Sequence, residues 1–276
     1  MRQSSKVIYD ALVATIEKDY VILQKLFDAA RDRKLATVLK SLRDSLLKKQ
    51  ELVDELYQCA ITDGLTGFKT RGYLESVLKE ELKNETSLGY FIIDVDHFKP
   101  YNDTFGHQQG DVAIQTTADV IRQNADSDLI ARYGGEEFSL FLVRYRGKRM
   151  YTKGEEIRAA VENHIVLPFS PERIAKKIMR KVASSGSLDD RVDTRDMPGR
   201  IVKFFRTPVT TASYDKRLNA YFGGTLFGQY VRQLQRLTVS VGGAQRIKGE
   251  TVPELMDRAD EALYEAKKTR NKVVIS

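Results

Sequence analysis

Two acidic clusters stand out by residue type and spacing: Asp94-Val95-Asp96 at the end of an apolar run, and Glu136-Glu137 directly after Gly134-Gly135. Carboxylates at a strand end and on a neighbouring turn can converge on one point. Such a cluster is costly unless something positive neutralises it. Hard oxygen ligands suit magnesium, which commonly takes one or two protein carboxylates while substrate phosphates supply the rest. Two such ions can activate an attacking hydroxyl and steady the charge that develops on phosphate oxygens. The competing reading of Glu136-Glu137 alone is a solvated acidic turn; the acid-tipped apolar strand weighs against it.

The chain has no GxxxxGK[ST] stretch, so any nucleotide is held without a P-loop. Other cations must then meet its phosphates, and Lys99, Lys267, Lys268 and Arg270 are available. Taken singly, each reads as a solvated basic residue. Asn102 and Asp111 flank a glycine-bearing loop. Asn offers both a donor and an acceptor, and a carboxylate accepts from the N1–H and N2–H edge of guanine. Alone, each also fits a turn former or a helix cap.

The elements that must position these groups follow from the hydrophobic pattern. Leu88 to Val95 is a continuous apolar run ending in acid, which predicts a buried strand. A loop with Pro100, Asn102, Gly106 and Gly110 is expected next, then a helix from about Asp111 to Gln123. Leu129 to Tyr133 and Phe138 to Val143 read as strands joined by Gly134-Gly135-Glu136-Glu137, since tight hairpin turns need positive φ. Leu237 to Val241 alternates as a strand, Val252 to Lys268 has a helical period, and Val273 to Ile275 reads as a last strand. This order predicts an α+β fold, a ferredoxin-like palm in which an antiparallel sheet carries helices on one face.

Upstream, residues 4–58 read as helix, with neither Gly nor Pro. Leu35, Leu39, Leu42, Leu46, Val53 and Leu56 form a stripe of alternating 4,3 spacing interrupted by Lys49. That fits a coiled coil, or a helical hairpin in which Val7 to Phe27 packs on the second helix. Both hold if two hairpins pair as a four-helix bundle.

Taken together, these residues resemble the GGDEF family of diguanylate cyclases. The pieces are DGLTGFKTR (Asp63 to Arg71), DVDHFKPYNDTFGHQQGD (Asp94 to Asp111), ARYGGEEF (Ala131 to Phe138), LTVSVGGA (Leu237 to Ala244) and ADEALYEAKKTRNKV (Ala259 to Val273). The resemblance implies a Mg2+ enzyme, with Mn2+ as the substitute, that joins two GTP into cyclic di-GMP. It implies metal ligation by Asp94, the Val95 carbonyl and Glu137, with Glu136 as a further ligand or as the group that helps deprotonate the GTP 3′-hydroxyl. Asn102 and Asp111 would read guanine, Phe98 and Lys99 would lie along the triphosphate, and Lys267 with Arg270 would hold its outer phosphates. It further implies a homodimer with one GTP per subunit. The rival reading is a catalytically silent module of the same fold that binds GTP or cyclic di-GMP. The sequence departs from the family pattern in AKKTRN, one residue shorter than AKxxGRN and without its glycine. The RxxD product-inhibition pattern is replaced by Ala125-Asp126-Ser127-Asp128.

These readings divide the chain into an N-terminal helical region at 1–58, a catalytic unit at 59–143 and 237–276, and an inserted, mainly helical subdomain at 144–236. The net charge of +7 is uneven, because residues 144–236 hold 20 Lys and Arg against 9 Asp and Glu. Helices are expected there at Lys153 to His164 and Pro171 to Ala183, with a loop over 184–200. Its basic residues alternate with Phe204, Phe205, Tyr214, Tyr221, Phe222, Phe227 and Tyr230. Such a segment could bind nucleic acid by stacking, or a protein partner. The favoured reading is a subdomain whose aromatics form a core. With 42% hydrophobic and 30% charged residues, the composition is that of a globular protein. No apolar run reaches membrane-spanning length and no export signal is read, so a cytoplasmic protein without membrane contact is expected. Cys59 stands alone and excludes an internal disulfide.

Overall fold

A computed structural model of the chain describes residues 5–29, 32–83, 87–127, 129–185, 195–208 and 210–276. Two long helices, α1 (Ser5–Ala29) and α2 (Arg33–Ile61), precede a mixed body. The body runs β1 (Lys69–Thr70), α3 (Arg71–Lys83), β2 (Leu88–Val95), α4 (Phe98–Phe105), α5 (His107–Asn124), β3 (Ile130–Arg132) and β4 (Glu137–Val143). Five helices follow: α6 (Lys148–Asn163), α7 (Pro171–Ser184), α8 (Met197–Arg206), α9 (Thr211–Phe222) and α10 (Leu226–Gln235). β5 (Val239–Gln245), α11 (Val252–Thr269) and β6 (Val273–Ile275) complete it.

The strand order is β1-β3-β4-β2-β5-β6, with β2 antiparallel to both β4 and β5. Every residue of β2 is buried, which explains why it reads as an unbroken apolar run rather than an alternating one. The palm is therefore α+β as expected, but its helices cover both faces of the sheet. Phe91, Ile93, Leu140 and Val241 pack toward α5, α6 and the helices beyond, while Tyr90, Ile92 and Phe141 pack with Leu74 and Leu78 of α3 and Leu255 and Leu263 of α11. Gly242 makes the second contact: a Cβ there would run into the α11 backbone at Ala259 and Leu263.

The hairpin reading of residues 4–58 holds, with α1 packed on α2, while two other expectations are corrected. Asp32 caps α2 by accepting from Lys34 N at 2.6 Å and Leu35 N at 3.4 Å, so an acidic cap restarts the helix without Gly or Pro. The two helices form an antiparallel hairpin, with Tyr9 stacked on Tyr57 at 4.0 Å and Arg43 lying over Phe27. The loop containing Pro100 is instead α4; Pro100 sits at its third position, where a missing N–H removes no intrahelical bond. Finally, α6 belongs to the sheet, packing against β5, β6 and α5, although residues 144–236 were expected to depart from the palm as a block.

Helices α7–α10 do not have a separate core. Ile174, Ile178, Phe204, Tyr214, Phe227 and Leu234 continue the same buried cluster that contains Phe105, Val161 and Val239. Phe204 makes edge contacts with Tyr214, Tyr221 and Phe222. Phe204, Phe205, Tyr214, Phe222 and Phe227 are buried, so their faces are used in packing and not offered for base stacking. Part of the expected 184–200 loop, residues 186–194, lies outside the described residues, and Met197 to Arg200 begin α8.

Candidate active site

The register of the sheet brings the two acidic clusters together. Asp94, at the end of β2, lies directly opposite Glu137, the first residue of β4, and Val95 N donates to the Glu136 carbonyl. Like charges directly opposite across strands repel. The cation that meets them is Lys267, from the last turn of α11, whose Nζ lies 2.8 Å from Asp94 Oδ2. Gly134 makes room for this arrangement, since a Cβ there would strike the Glu137 carboxylate.

The titration of the cluster reflects its burial. Asp94, with 6% of its surface exposed, is pushed up to about 6, first by burial and then by Glu136 and Glu137, against the pull of Lys267. Glu136 is also raised by burial and by Glu137, with Lys267 opposing. Burial works against the Lys267 ammonium, but Asp94, Glu137 and Glu136 more than offset it and hold its pKa up. One lysine thus leaves three carboxylates under-compensated.

These residues fit a hard divalent cation in their chemistry: oxygen donors only, two facing each other across strands, and an excess of negative charge. Among the described residues no group of three His, Cys, Asp or Glu converges closely enough to hold a metal by side chains alone. The set accordingly suits an ion such as Mg2+ that completes its coordination from phosphates and main-chain carbonyls, rather than an all-protein cage.

Asp96, two residues on, is not part of the cluster. Its carboxylate accepts from Thr238 Oγ1 and Ser240 Oγ, each at 2.7 Å, and from Asn271 N at 2.9 Å. It ties β2 to β5 and to the turn after α11. That turn is where AKKTRN lacks its glycine, and Arg270 and Asn271 both adopt positive φ instead, at 59° and 45°. Bonds from Asn271 to Asp96 and Glu162, and from Arg158 to Asn271, secure the strained pair.

The remaining candidates stand on α4, on α5 and just after α11. Phe98 is buried at the start of α4, and Lys99 and Arg270 are exposed. Asn102 is half-buried with an Oδ1 that has no partner, and Gly110 lies so close that a Cβ would collide with it. Asp111 is exposed on α5. A buried acceptor without a partner is costly by itself.

Sequence reasoning assigned no role to Arg132, although it lies within ARYGGEEF. Its Nη2 donates to the Gly135 carbonyl at 2.7 Å and its Nη1 reaches Asp63 Oδ2 at 3.2 Å. Asp63 also accepts from Thr66 N and Thr66 Oγ1, which closes the DGLTG turn. A basic residue just before paired glycines is the signal that could have marked it.

Comparison with known proteins bears on the family and the fold. Residues 60–182 match the family model described as diguanylate cyclase, GGDEF domain. Diguanylate cyclase A of Treponema denticola is 34% identical over 122 residues, 41% of this chain and 33% of that protein. The crystal structure of the GGDEF domain of DgcB from Caulobacter crescentus, in complex with c-di-GMP, is 30% identical, with a TM-score of 0.53 over 78% of this chain and 93% of that one. A structure of the DgcB coiled coil and GGDEF domain with c-di-GMP matches 88% of this chain and all of that one, at 26% identity and a TM-score of 0.62. The chain belongs to the GGDEF family. It spans about a third or less of the length of the first curated relatives it matches. Among the described residues no helix is long and apolar enough to cross a membrane.

Proposed function

We propose that this chain is a diguanylate cyclase that condenses two GTP into cyclic di-GMP and releases two pyrophosphates. The observation that carries this reading is the ion pair of Lys267 with Asp94 opposite Glu137, at the tip of β2 beside the Gly134-Gly135 turn. Each GTP 3′-hydroxyl attacks the α-phosphate of the other nucleotide, the bond to pyrophosphate breaks, and Glu136 takes the hydroxyl proton. Its carboxylate suits that step because burial raises its proton affinity. Mg2+, held by Asp94, Glu137 and the Val95 carbonyl, would supply positive charge for the phosphate oxygens. Lys267 would leave Asp94 for the outer phosphates, joined by Arg270, while Phe98 and Lys99 flank the triphosphate. Asn102 and Asp111 would read the guanine edge, and the unpartnered Asn102 Oδ1 supports this.

Ring closure needs two loaded sites in apposition, so the working unit is a homodimer with one GTP per subunit. Support comes from α1 and α2. Leu39 is buried and Leu46 and Val53 are half-buried toward α1, but Leu35, Val38, Leu42, Leu52 and Leu56 are exposed at heptad spacing. Ile8, Leu12, Ile22 and Leu26 add an exposed apolar row on α1. Two such hairpins would bury these rows as a four-helix bundle. We place the departure from the minimal palm after α6, because α6 packs on the sheet and α7–α10 extend beyond it.

The test is direct. Purified protein incubated with GTP and Mg2+ should give cyclic di-GMP by mass spectrometry. Unchanged GTP, with the nucleotide still bound, would favour the silent module instead.

A further inference from the structure

α4 and α5 are joined by a single residue, Gly106, whose φ is +86°. Asn102 stands on one side of this joint and Asp111 on the other, so the angle between the two helices sets how the pair presents itself to a base. A one-residue joint between two helices does not fix that angle by itself. The contacts around it must.

Those contacts come largely from α7–α10 and the irregular segment 164–170 that leads into them. On α7, Lys177 Nζ donates to the carbonyl of Phe105, the last residue of α4, at 2.7 Å. A cation there also meets the negative end of the helix dipole. A Cβ at Gly106 would collide with the same ammonium, so lysine and glycine fit each other. Gln109, fully buried on α5, donates to the Leu167 carbonyl at 3.1 Å and accepts from Phe169 N at 2.9 Å. It also donates to Tyr101 Oη at 3.2 Å, and Tyr101 Oη donates to the Leu234 carbonyl at 3.1 Å. The added unit therefore grips the joint where the chain enters it, along α7, and where the chain leaves it.

We propose that Lys177 is a positioning residue for base recognition: through the Phe105 carbonyl it holds the α4–α5 joint in the pose at which Asn102 and Asp111 read guanine. This rests on the assignment of those two residues to guanine made above. It goes beyond that assignment by giving α7–α10 a role in substrate choice rather than only in packing. Gln109 and Tyr101 form a separate buried polar set that braces the same joint, so removing one of its members leaves the others unsatisfied and frees the joint to shift in the same way. A bond that merely docked the unit would affect stability alike in the presence of any nucleotide. A positioning bond changes the preference between bases.

The experiment uses the full chain and equilibrium binding of the non-hydrolysable α,β-methylene analogues of GTP and ATP in Mg2+, with thermal unfolding alongside. Lys177→Met should bind the GTP analogue about five- to tenfold more weakly, the scale of one lost hydrogen bond. The ATP analogue should bind as in the parent, so selectivity falls by the same factor. Lys177→Arg, which keeps a cationic donor, should restore most of it. Should Lys177→Met not fold, Tyr101→Phe, which deletes only the hydroxyl, must show a loss of the same kind. Parent selectivity in the folded variant, whatever its melting temperature, overturns the proposal. Asp111→Ser run in parallel separates the two ideas. If it too keeps parent selectivity, the guanine assignment fails and the positioning role falls with it. If Asp111→Ser loses selectivity while the Lys177 and Tyr101 variants do not, only the positioning role is overturned.

Discussion

Arg132 holds Asp63 at 3.2 Å with one arm of its guanidinium and the Gly135 carbonyl at 2.7 Å with another. Asp63 comes two residues after the end of α2, and Gly135 directly precedes Glu136 in the acidic turn. The helical hairpin is thus linked to the active turn through one side chain. Burial raises the Asp63 carboxyl, but its bonds from Thr66 and the charge of Arg132 outweigh this and leave its pKa lowered. Arg132→Met should cost about 1–3 kcal/mol of stability, because the part-buried Asp63 carboxylate loses its charged donor and keeps only Thr66. It should lower kcat for cyclic di-GMP formation about ten- to a hundredfold by loosening the turn, with GTP affinity near the parent's. Parent-level kcat would remove Arg132 from any role in setting the turn.

Activity should depend steeply on the facing carboxylates. Asp94→Ala and Glu137→Ala should each lower turnover by about a hundredfold or more, the scale on which groups that stabilise transition-state charge act. Neither change is a core lesion, because each relieves a repelling pair. Circular dichroism should stay close to the parent's, and without divalent metal the melting temperature at neutral pH should not fall. Undiminished product from Glu137→Ala would remove it from the metal site.

The acidic cluster also makes a prediction about pH. Asp94 has a folded pKa of about 6, above its unfolded value near 4. The folded state therefore binds the proton more tightly. Stability in the absence of divalent metal should fall as pH rises from about 4 to about 6 and stay reduced above that. About two units correspond to at most ~3 kcal/mol. Asp94→Asn removes this titration, so urea unfolding at intervals between pH 4 and 7 should give the variant the flatter profile. Mg2+ competes with the same proton and should stabilise the parent more at pH 7 than at pH 5. Parallel profiles for parent and variant would show that Asp94 does not carry the effect.

How much of this site could be read from the sequence depends on the range of each contact. Asp94 and Glu137 were legible because an apolar run that ends in acid and a glycine hairpin are both local patterns. Their convergence then follows from pairing neighbouring strands. Asp96 belonged to the same acidic run, yet its three partners come from Thr238, Ser240 and Asn271, and nothing local separates it from Asp94. Lys177 lies 72 residues from the carbonyl it grips, and its helix reads as an ordinary basic amphipathic segment. The leucine stripe of α2 is divided between two faces, which the sequence does not separate. Leu39 and Leu46 belong to the face toward α1, and Leu35 and Leu42 to the exposed face. Two heptad series offset by a few residues look like one broad stripe until the partner helix is in place.

Product inhibition should be weak in this chain. Ala125 is fully buried, and Asp126 is engaged by Lys153 at 2.7 Å, with Tyr145 also bonded to it; Asp128 lies outside the described residues. Bidentate recognition of a phosphate needs an arginine fork, and position 125 offers none. Cyclic di-GMP added to a steady-state assay should raise the apparent KM for GTP without lowering kcat. Tight inhibition that lowers kcat would mean that basic residues elsewhere capture the product.

The hairpin prediction follows from which leucines are covered. Leu42 and Ile22 are exposed, 49% and 56% respectively, and both line one groove between α1 and α2 together with Ser45 and Lys49. Leu46 lines the same groove but is half-buried, so changing it would disturb the hairpin itself. Leu42→Glu combined with Ile22→Glu places charge at two exposed positions of the hairpin, and circular dichroism should show that each subunit keeps its fold. If that face pairs with its copy, sedimentation should show the parent as a dimer and the variant as a monomer that still binds GTP. The variant's activity per mole should be low in dilute solution and climb with protein concentration, because two half-sites must then meet by diffusion. A variant that is monomeric at every concentration yet matches the parent's specific activity would show that the hairpins do not bring the sites together.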